Sequence, residues 1–209
     1  NTIVELIDPE KVVPNTVDIV DIAGLVKGAS KGEGLGNQFL SNIRETNAII
    51  HVLRCYQDEN ITHVEGSVDP LRDKEIVDFE LQIKDMESLE KRNEKINKYL
   101  KTGGNEYKKE FEFIEELIKH LKKGLSLRDL NIDNESFEKY LKPLSLLTLK
   151  PVLYVCNIDE KLINNNDQLL TNTVKHLEKE NSKIIVIAAK IEQEINELDS
   201  YEDRQVFLN

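Results

Sequence analysis

Four runs of apolar, mostly β-branched residues recur along the chain and predict the strands of a sheet. They lie at 17–22, 48–55, 151–156 and 183–189. The runs are nearly continuous rather than alternating, which is typical of strands that are covered on both faces. Segments with a helical pattern separate them at 37–46 and 167–180. This alternation predicts an α/β fold with a mostly parallel, doubly wound sheet.

The middle of the chain follows a helical period instead, with apolar residues three or four positions apart. One stripe contains Ile76, Phe79, Ile83, Met86, Leu89, Ile96 and Leu100, and a second contains Tyr107, Phe111, Ile114, Ile118 and Leu121. Between the stripes, Gly103 and Gly104 supply the backbone freedom that a tight turn needs. Two such helices joined by a short turn run antiparallel. We therefore predict a helical hairpin, followed by a short helix whose cap is Asn134.

Charge supports this division of the chain. The 209 residues include 28 basic and 39 acidic side chains, for a formal net charge of −11. Segment 73–147 holds 15 basic and 17 acidic residues, so most of the negative charge lies in the flanks. Balanced charge beside periodic apolar residues is typical of paired, solvent-exposed helices. A generally basic nucleic-acid binder is disfavoured, although a local basic face remains open.

We expect three segments: 1–72 as the first part of an α/β domain, 73–147 as a helical insertion, and 148–209 as the second part of that domain. The two cysteines, Cys55 and Cys156, lie in apolar runs and are interpreted as buried, reduced thiols of a cytoplasmic protein. No apolar run approaches the ~20 residues needed to span a bilayer, so we expect no membrane partner.

The first candidate chemistry follows the first predicted strand. Asp21 stands at its carboxyl end and Gly24 follows three residues later. In nucleoside-triphosphate sites an aspartate at this place reaches the Mg²⁺ shell, and a glycine amide faces the γ-phosphate. Asp21 is therefore a candidate metal contact, in this setting through water, and Ala23, Gly24 and Leu25 are candidate phosphate-side residues. The alternative is an ordinary turn at the end of a strand.

A glycine-rich segment comes next, with glycines at 28, 32, 34 and 36. It leads directly into a helical pattern formed by Phe39, Leu40 and Ile43, which a flexible linker would not normally do. A glycine-rich loop placed after a phosphate-sensing strand suits a switch between ordered and disordered states.

A third piece follows the third predicted strand, at Asn157, Ile158, Asp159 and Glu160. Guanine-specific sites carry Asn-Lys-x-Asp here, where the lysine stacks on the base and the last aspartate accepts from both guanine donors. Ile158 and Glu160 replace those two residues, which indicates a base pocket not tuned to guanine. Ala188 and Ala189 end the fourth run, where small side chains allow a base to lie on the backbone. The alternative is a plain strand-end loop, where Asn and Asp are favoured.

In this order the pieces resemble the Obg-related family of P-loop nucleotide hydrolases, and within it the YchF or Obg-like ATPase branch. The most specific stretch is 17–55, and segments 61–71 and 147–157 also match. The resemblance implies a P-loop NTPase-like G-domain with an inserted antiparallel coiled-coil hairpin. It further implies Mg²⁺-dependent hydrolysis of ATP, with GTP also accepted or disfavoured, together with association with the ribosome or a ribosomal subunit.

The resemblance also assigns roles to single residues. Leu25 stands where many related GTPases have a water-orienting glutamine, which an apolar side chain cannot replace. His51 matches the histidine that would take over catalysis. The alternative is that His51 has only a structural role and packs within its strand. The family's phosphate-binding Gly-x-x-x-x-Gly-Lys-Ser/Thr motif is absent from the 209 residues. By the resemblance it would precede Asn1, and a small TGS domain would follow Asn209.

Three classes of function remain open. The first is a Mg²⁺-dependent ATPase whose hydrolysis switches partner binding. The second is a GTP-binding regulatory module in which the charged hairpin, docked on ribosome or RNA, is the functional element. The third is a structural helical adaptor on a degenerate α/β base.

Overall fold

The computed structural model describes residues 11, 15–22, 35–163, 165, 167–180, 182–198, 200 and 204–205. Its longer elements, in chain order, are α1 (Leu35–Glu45), β1 (Ile49–Arg54), α2 (Pro70–Lys101), α3 (Lys108–Lys122), β2 (Val152–Asn157), α4 (Gln168–Lys179), β3 (Lys183–Ile187) and α5 (Ala189–Asn196). Short helical turns cover Asn105–Tyr107, Leu127–Asp129, Asn134–Ser136, Phe137–Leu141, Lys142–Leu144 and Glu160–Leu162. Among the described helices, none combines the length and apolar character that crossing a bilayer requires.

The described strands form one parallel sheet in the order β1-β2-β3. Three of the four predicted strands are therefore confirmed. In the register, Arg54 pairs with Asn157, and Asn157 pairs with Ile187. The carboxyl ends of all three strands thus meet at one edge, where ligands of open α/β sheets usually bind.

The strand predicted at 17–22 is wrong for this structure. Residues 15–22 have no regular secondary structure, and Val17 and Ile19 are 80% and 79% exposed. A strand needs a paired neighbour for its backbone donors and acceptors, whatever its side chains prefer. One edge of β1 pairs with β2, and no described residue pairs with the other edge. Of this segment, Ile22 packs against a cluster that includes Leu40.

The hairpin is confirmed. Helices α2 and α3 pack antiparallel about a buried core of Leu89, Ile96, Ile114, Leu117, Ile118 and Leu121. Gly103 adopts a φ of 98° at the turn, a conformation that only glycine enters readily. The short helix after the hairpin is capped by Asp133 rather than Asn134, because the Asp133 carboxylate accepts from the Ser136 N–H at 2.8 Å.

The predicted stripe is wrong at its beginning. Phe79 is 59% exposed, whereas Leu81 and Asp85 are buried. Near the sheet, α2 packs against α1 and Leu147 instead of against α3, so a different face of the helix is covered. The sequence period cannot show where along one helix its packing partner changes.

A buried carboxylate joins the hairpin to the sheet. Asp85 accepts hydrogen bonds from the Leu147 N–H (2.7 Å), the Thr148 N–H (2.8 Å) and the Thr148 hydroxyl (2.7 Å). Burial raises the pKa of Asp85, while these donors act in the opposite direction. The bonds fix the segment by which the chain leaves the hairpin and enters β2.

Further along the sheet, Cys55 and Cys156 are buried free thiols, as expected.

Candidate functional site

The strand-end loop after β2 is tied to the segment after β3. The Asn157 side-chain oxygen accepts from the Ala189 N–H at 3.1 Å, and the Ile158 N–H donates to the Ile187 carbonyl at 2.9 Å. Two segments that are thirty residues apart in sequence therefore share one edge of the sheet. Asn157, Ala188 and Ala189, which the sequence analysis selected separately, lie together there.

The remaining residues of this loop have different environments. Ile158 is only 8% exposed and belongs to a buried cluster with Leu53, Tyr154 and Leu177. The Asp159 carboxylate accepts from the Lys161 N–H at 3.0 Å and caps the turn Glu160–Leu162. Glu160 is exposed. The loop thus offers a ligand the Asn157 side chain, backbone groups and the Glu160 carboxylate, while Ile158 supports it from below.

Of the predicted metal contact and the three predicted phosphate-side residues, only the metal contact Asp21 is described, and Ala23, Gly24 and Leu25 lie outside the described residues. Asp21 is exposed and lines a cavity of about 440 Å³ that His51 also lines. No group of three or more metal-ligating side chains occurs among the described residues. A single carboxylate that contacts the ion through water is compatible with Mg²⁺, since that ion keeps several waters and phosphate oxygens in its shell.

His51 lies in the middle of β1, opposite Tyr154 in the register. The two rings are 5.5 Å apart between centroids and tilted by 36°. Burial lowers the pKa of His51, and Lys74 and Arg128 at the base of the hairpin add to this effect, while the negative charge of Asp78 opposes it. The imidazole is therefore neutral at neutral pH, as a residue that accepts a proton from water must be.

A second histidine, His63, forms a dyad with a carboxylate. His63 Nε2 lies 2.8 Å from Asp73 Oδ2, and His63 Nδ1 accepts from the Glu65 N–H at 3.2 Å. Because Nδ1 accepts, the neutral ring carries its proton on Nε2 and donates it to Asp73. His63 lines a cavity of about 310 Å³ together with His51. A histidine and an aspartate ten positions apart give no periodic signal, so the sequence did not reveal this pair.

Comparison with known proteins places these features in a family. Residues 5–190 match the sequence model of the family described as 50S ribosome-binding GTPase. The chain is 44% identical over 206 residues to the ribosome-binding ATPase YchF of Bacillus subtilis, covering 98% of this chain and 56% of the relative. It is 42% identical to the protein of the same name from Escherichia coli O157:H7, covering 98% and 55%.

A solved structure agrees with the sequence relatives. The structure of the Schizosaccharomyces pombe YchF GTPase superimposes with a TM-score of 0.77 at 33% identity, covering 97% of this chain and 56% of that one. The chain spans about half the length of the curated relatives it matches. The predicted G-domain fold with a parallel sheet is confirmed by these matches.

Proposed function

Because the chain belongs to the YchF branch of the P-loop GTPase family, we propose that it carries the base-recognition side of a nucleotide-hydrolysing switch. The switch hydrolyses ATP with Mg²⁺ and associates with the ribosome in the cytoplasm. The observation that carries the proposal is the Asn157–Ala189 hydrogen bond of 3.1 Å. It joins the two loops between which a nucleotide base would lie, at the edge of the sheet where such ligands bind.

The proposed base is adenine rather than guanine. A guanine site holds a carboxylate that accepts from both base donors, and such a site rejects an analogue that lacks them. Glu160 is one methylene longer than the aspartate of that site, and Ile158 is buried where the stacking lysine would stand. We therefore expect ATP to bind at least as tightly as GTP.

Competition between labelled ATP and unlabelled GTP on the full-length protein tests this preference. Glu160→Asp should move the preference toward GTP, whereas Glu160→Gln, which changes charge but not length, should not. Adding Ile158→Lys to Glu160→Asp should increase the change, with circular dichroism to check that the buried position tolerates lysine. A clear GTP preference in the unchanged protein contradicts the proposal and favours the GTP-binding regulatory module.

Hydrolysis needs a group that orients water, because Leu25 cannot do so. We propose His51 for this role, since its imidazole is neutral and lines the same cavity as Asp21. The His63–Asp73 dyad is the competing candidate, because Asp73 orients the His63 ring toward a cavity that His51 also lines. A carboxylate that orients a histidine is a common arrangement for proton transfer.

Single substitutions in the full-length protein separate the two histidines. Loss of the water-orienting group should lower turnover by ~10²-fold or more with little change in ATP affinity or melting temperature. His51→Ala, His63→Ala and Asp73→Asn are compared with His120→Ala, whose ring bonds the Ser126 carbonyl and lines neither cavity. A turnover loss confined to His51 supports the proposal. A loss shared by His63 and Asp73 but not His51 moves the role to the dyad. Joint loss of turnover and stability in His51→Ala means that His51 only packs.

A further inference from the structure

The far end of the hairpin carries a charge opposite to that of the whole chain. Segment 91–109, here called the tip, contains seven basic and two acidic residues, whereas the rest of 73–147 contains eight basic and fifteen acidic. The whole chain has a net charge of −11, so the positive charge of the tip is a local feature that the overall composition does not predict. Such a patch attracts polyanions.

The lysines of the tip are exposed, and nearly all lack an ion-pair partner among the described residues. Lys91, Lys95, Lys98, Lys101, Lys108 and Lys109 are all exposed. Within the described part of the chain, Lys108 alone among them approaches a carboxylate, that of Glu112 at 3.9 Å, and both side chains are more than half exposed. Elsewhere in the hairpin, Lys74 and Arg128 are held by carboxylates. The charge of these lysines is therefore available to a partner, whereas Arg92 is held by the Glu110 carboxylate at 2.6 Å.

Two tyrosines stand among these lysines. The rings of Tyr99 and Tyr107 stack with centroids 5.2 Å apart and planes inclined by 26°, and Tyr99 is 41% exposed. The turn is shaped around them: a Cβ on Gly104 would lie 3.1 Å from the Tyr107 ring. The Tyr99 carbonyl accepts from the Thr102 N–H, the Thr102 hydroxyl and the Gly104 N–H at 2.9–3.1 Å. The pair is thus held in place before any partner arrives.

We propose that the tip is an RNA-binding surface in which the lysines contact phosphates and Tyr99 stacks on an unpaired base. The lysines alone would suit any polyanion, but the exposed Tyr99 ring, pre-ordered by stacking on the partly buried Tyr107, favours RNA over an acidic protein segment. The inference rests on the proposed ribosome association and names its chemistry: single-stranded or looped RNA, contacted by the end of the hairpin.

Fluorescence anisotropy of a fluorescein-labelled stem-loop RNA, titrated with the full-length protein over a range of salt concentrations, tests the proposal. The tip variant combines Lys95→Gln, Lys98→Gln and Lys101→Gln. The matched control combines Lys119→Gln, Lys122→Gln and Lys123→Gln, which removes the same charge at the other end of α3. The tip variant should bind at least ~10-fold more weakly and should flatten the slope of log affinity against log salt by ~2. The control should change affinity less than about twofold.

Tyr99 provides the second arm. Tyr99→Ala should lower RNA affinity by ~10-fold without changing the salt slope, and Tyr99→Phe should retain affinity, because stacking needs the ring and not the hydroxyl. Equal losses in the tip and control variants would overturn the proposal. Competition by poly-glutamate as effective as that by unlabelled RNA would overturn it in favour of an acidic protein partner.

The RNA readout is independent of hydrolysis. ATP turnover without RNA should be the same in the tip variant and the unchanged protein, because the tip holds no residue of the proposed nucleotide site. RNA binding by a protein that hydrolyses no ATP would refute the proposed function and leave this inference standing. ATP turnover without tip-dependent RNA binding would refute this inference and leave the proposed function standing.

Discussion

The base of the hairpin buries and pairs its charges, whereas the tip exposes them and leaves most of them unpaired. At the base, Lys74 contacts Asp78 at 3.1 Å and Glu180 at 2.8 Å, and its side chain is only 8% exposed. At the tip, Lys98 and Lys101 are exposed and form no ion pair with any described residue. The same residue type is thus structural at one end and free to bind at the other.

This difference follows from what each end touches. The base packs against α1, β1 and the chain that enters β2, so charges there lose water and must find partners. The tip packs Ile96 into the hairpin core and pairs Arg92 with Glu110, but its lysines are exposed, so they keep their hydration and need no partner. We therefore expect substitutions at the base to change stability and those at the tip to change binding.

The largest effect on stability should come from Asp85→Ala. It leaves three buried donors on Leu147 and Thr148 without an acceptor, which should lower the free energy of unfolding by ~4 kcal/mol. Urea denaturation followed by circular dichroism measures this loss. Thr148→Val removes one of the three bonds and should cost only ~1 kcal/mol. An Asp85→Ala protein as stable as its parent would mean that water replaces the carboxylate.

Lys74→Gln at the base should lower the free energy of unfolding by less than Asp85→Ala does, and Lys98→Gln at the tip should hardly change it. Removing the Lys74 charge leaves the partly buried Asp78 and Glu180 carboxylates with one cation fewer, at a cost of ~2 kcal/mol. Lys98→Gln should change the free energy of unfolding by less than ~0.5 kcal/mol. Parallel denaturation curves compare the two. Similar losses would remove the distinction between base and tip.

The smallest effect is a dependence of stability on pH at the base. Burial lowers the pKa of His51, so between that value and the ordinary value near 6.5 the unfolded chain binds more protons than the folded protein. The stability contributed by the neutral ring is present above pH ~6.5 and is lost as the pH falls below it. His51→Gln should flatten this part of the curve of melting temperature against pH.

Local sequence patterns predicted much of the fold and part of the candidate site. Three strands, the hairpin and its glycine turn followed from short-range periodicity, and Asn157 followed from its place after a strand. Predictions from local patterns failed where a residue's structure or burial depends on a partner that is distant in sequence. The 17–22 run pairs with no described strand, and the exposure of Phe79 depends on where α1 covers α2.

The chemistry of the site divides in the same way. Ala188 and Ala189 were chosen as small residues, but only the fold shows that the Ala189 N–H meets Asn157. The His63–Asp73 contact joins a loop to the first turn of α2, and the spacing of the two residues in sequence does not predict it. Ile158 follows Asn157 in sequence, yet the sheet buries it in the cluster beneath the loop.

The sequence by itself determined the alternation of strands and helices, the hairpin and the charge of each segment, because these depend on residue type and local spacing. The tertiary structure alone decided which charges are neutralised. The Asp85 carboxylate finds its donors 62 and 63 residues further along the chain, whereas the lysines of the tip find no carboxylate closer than that of Glu112 among the described residues. Solvation and pairing depend on what lies nearby in space, and only the folded chain sets that.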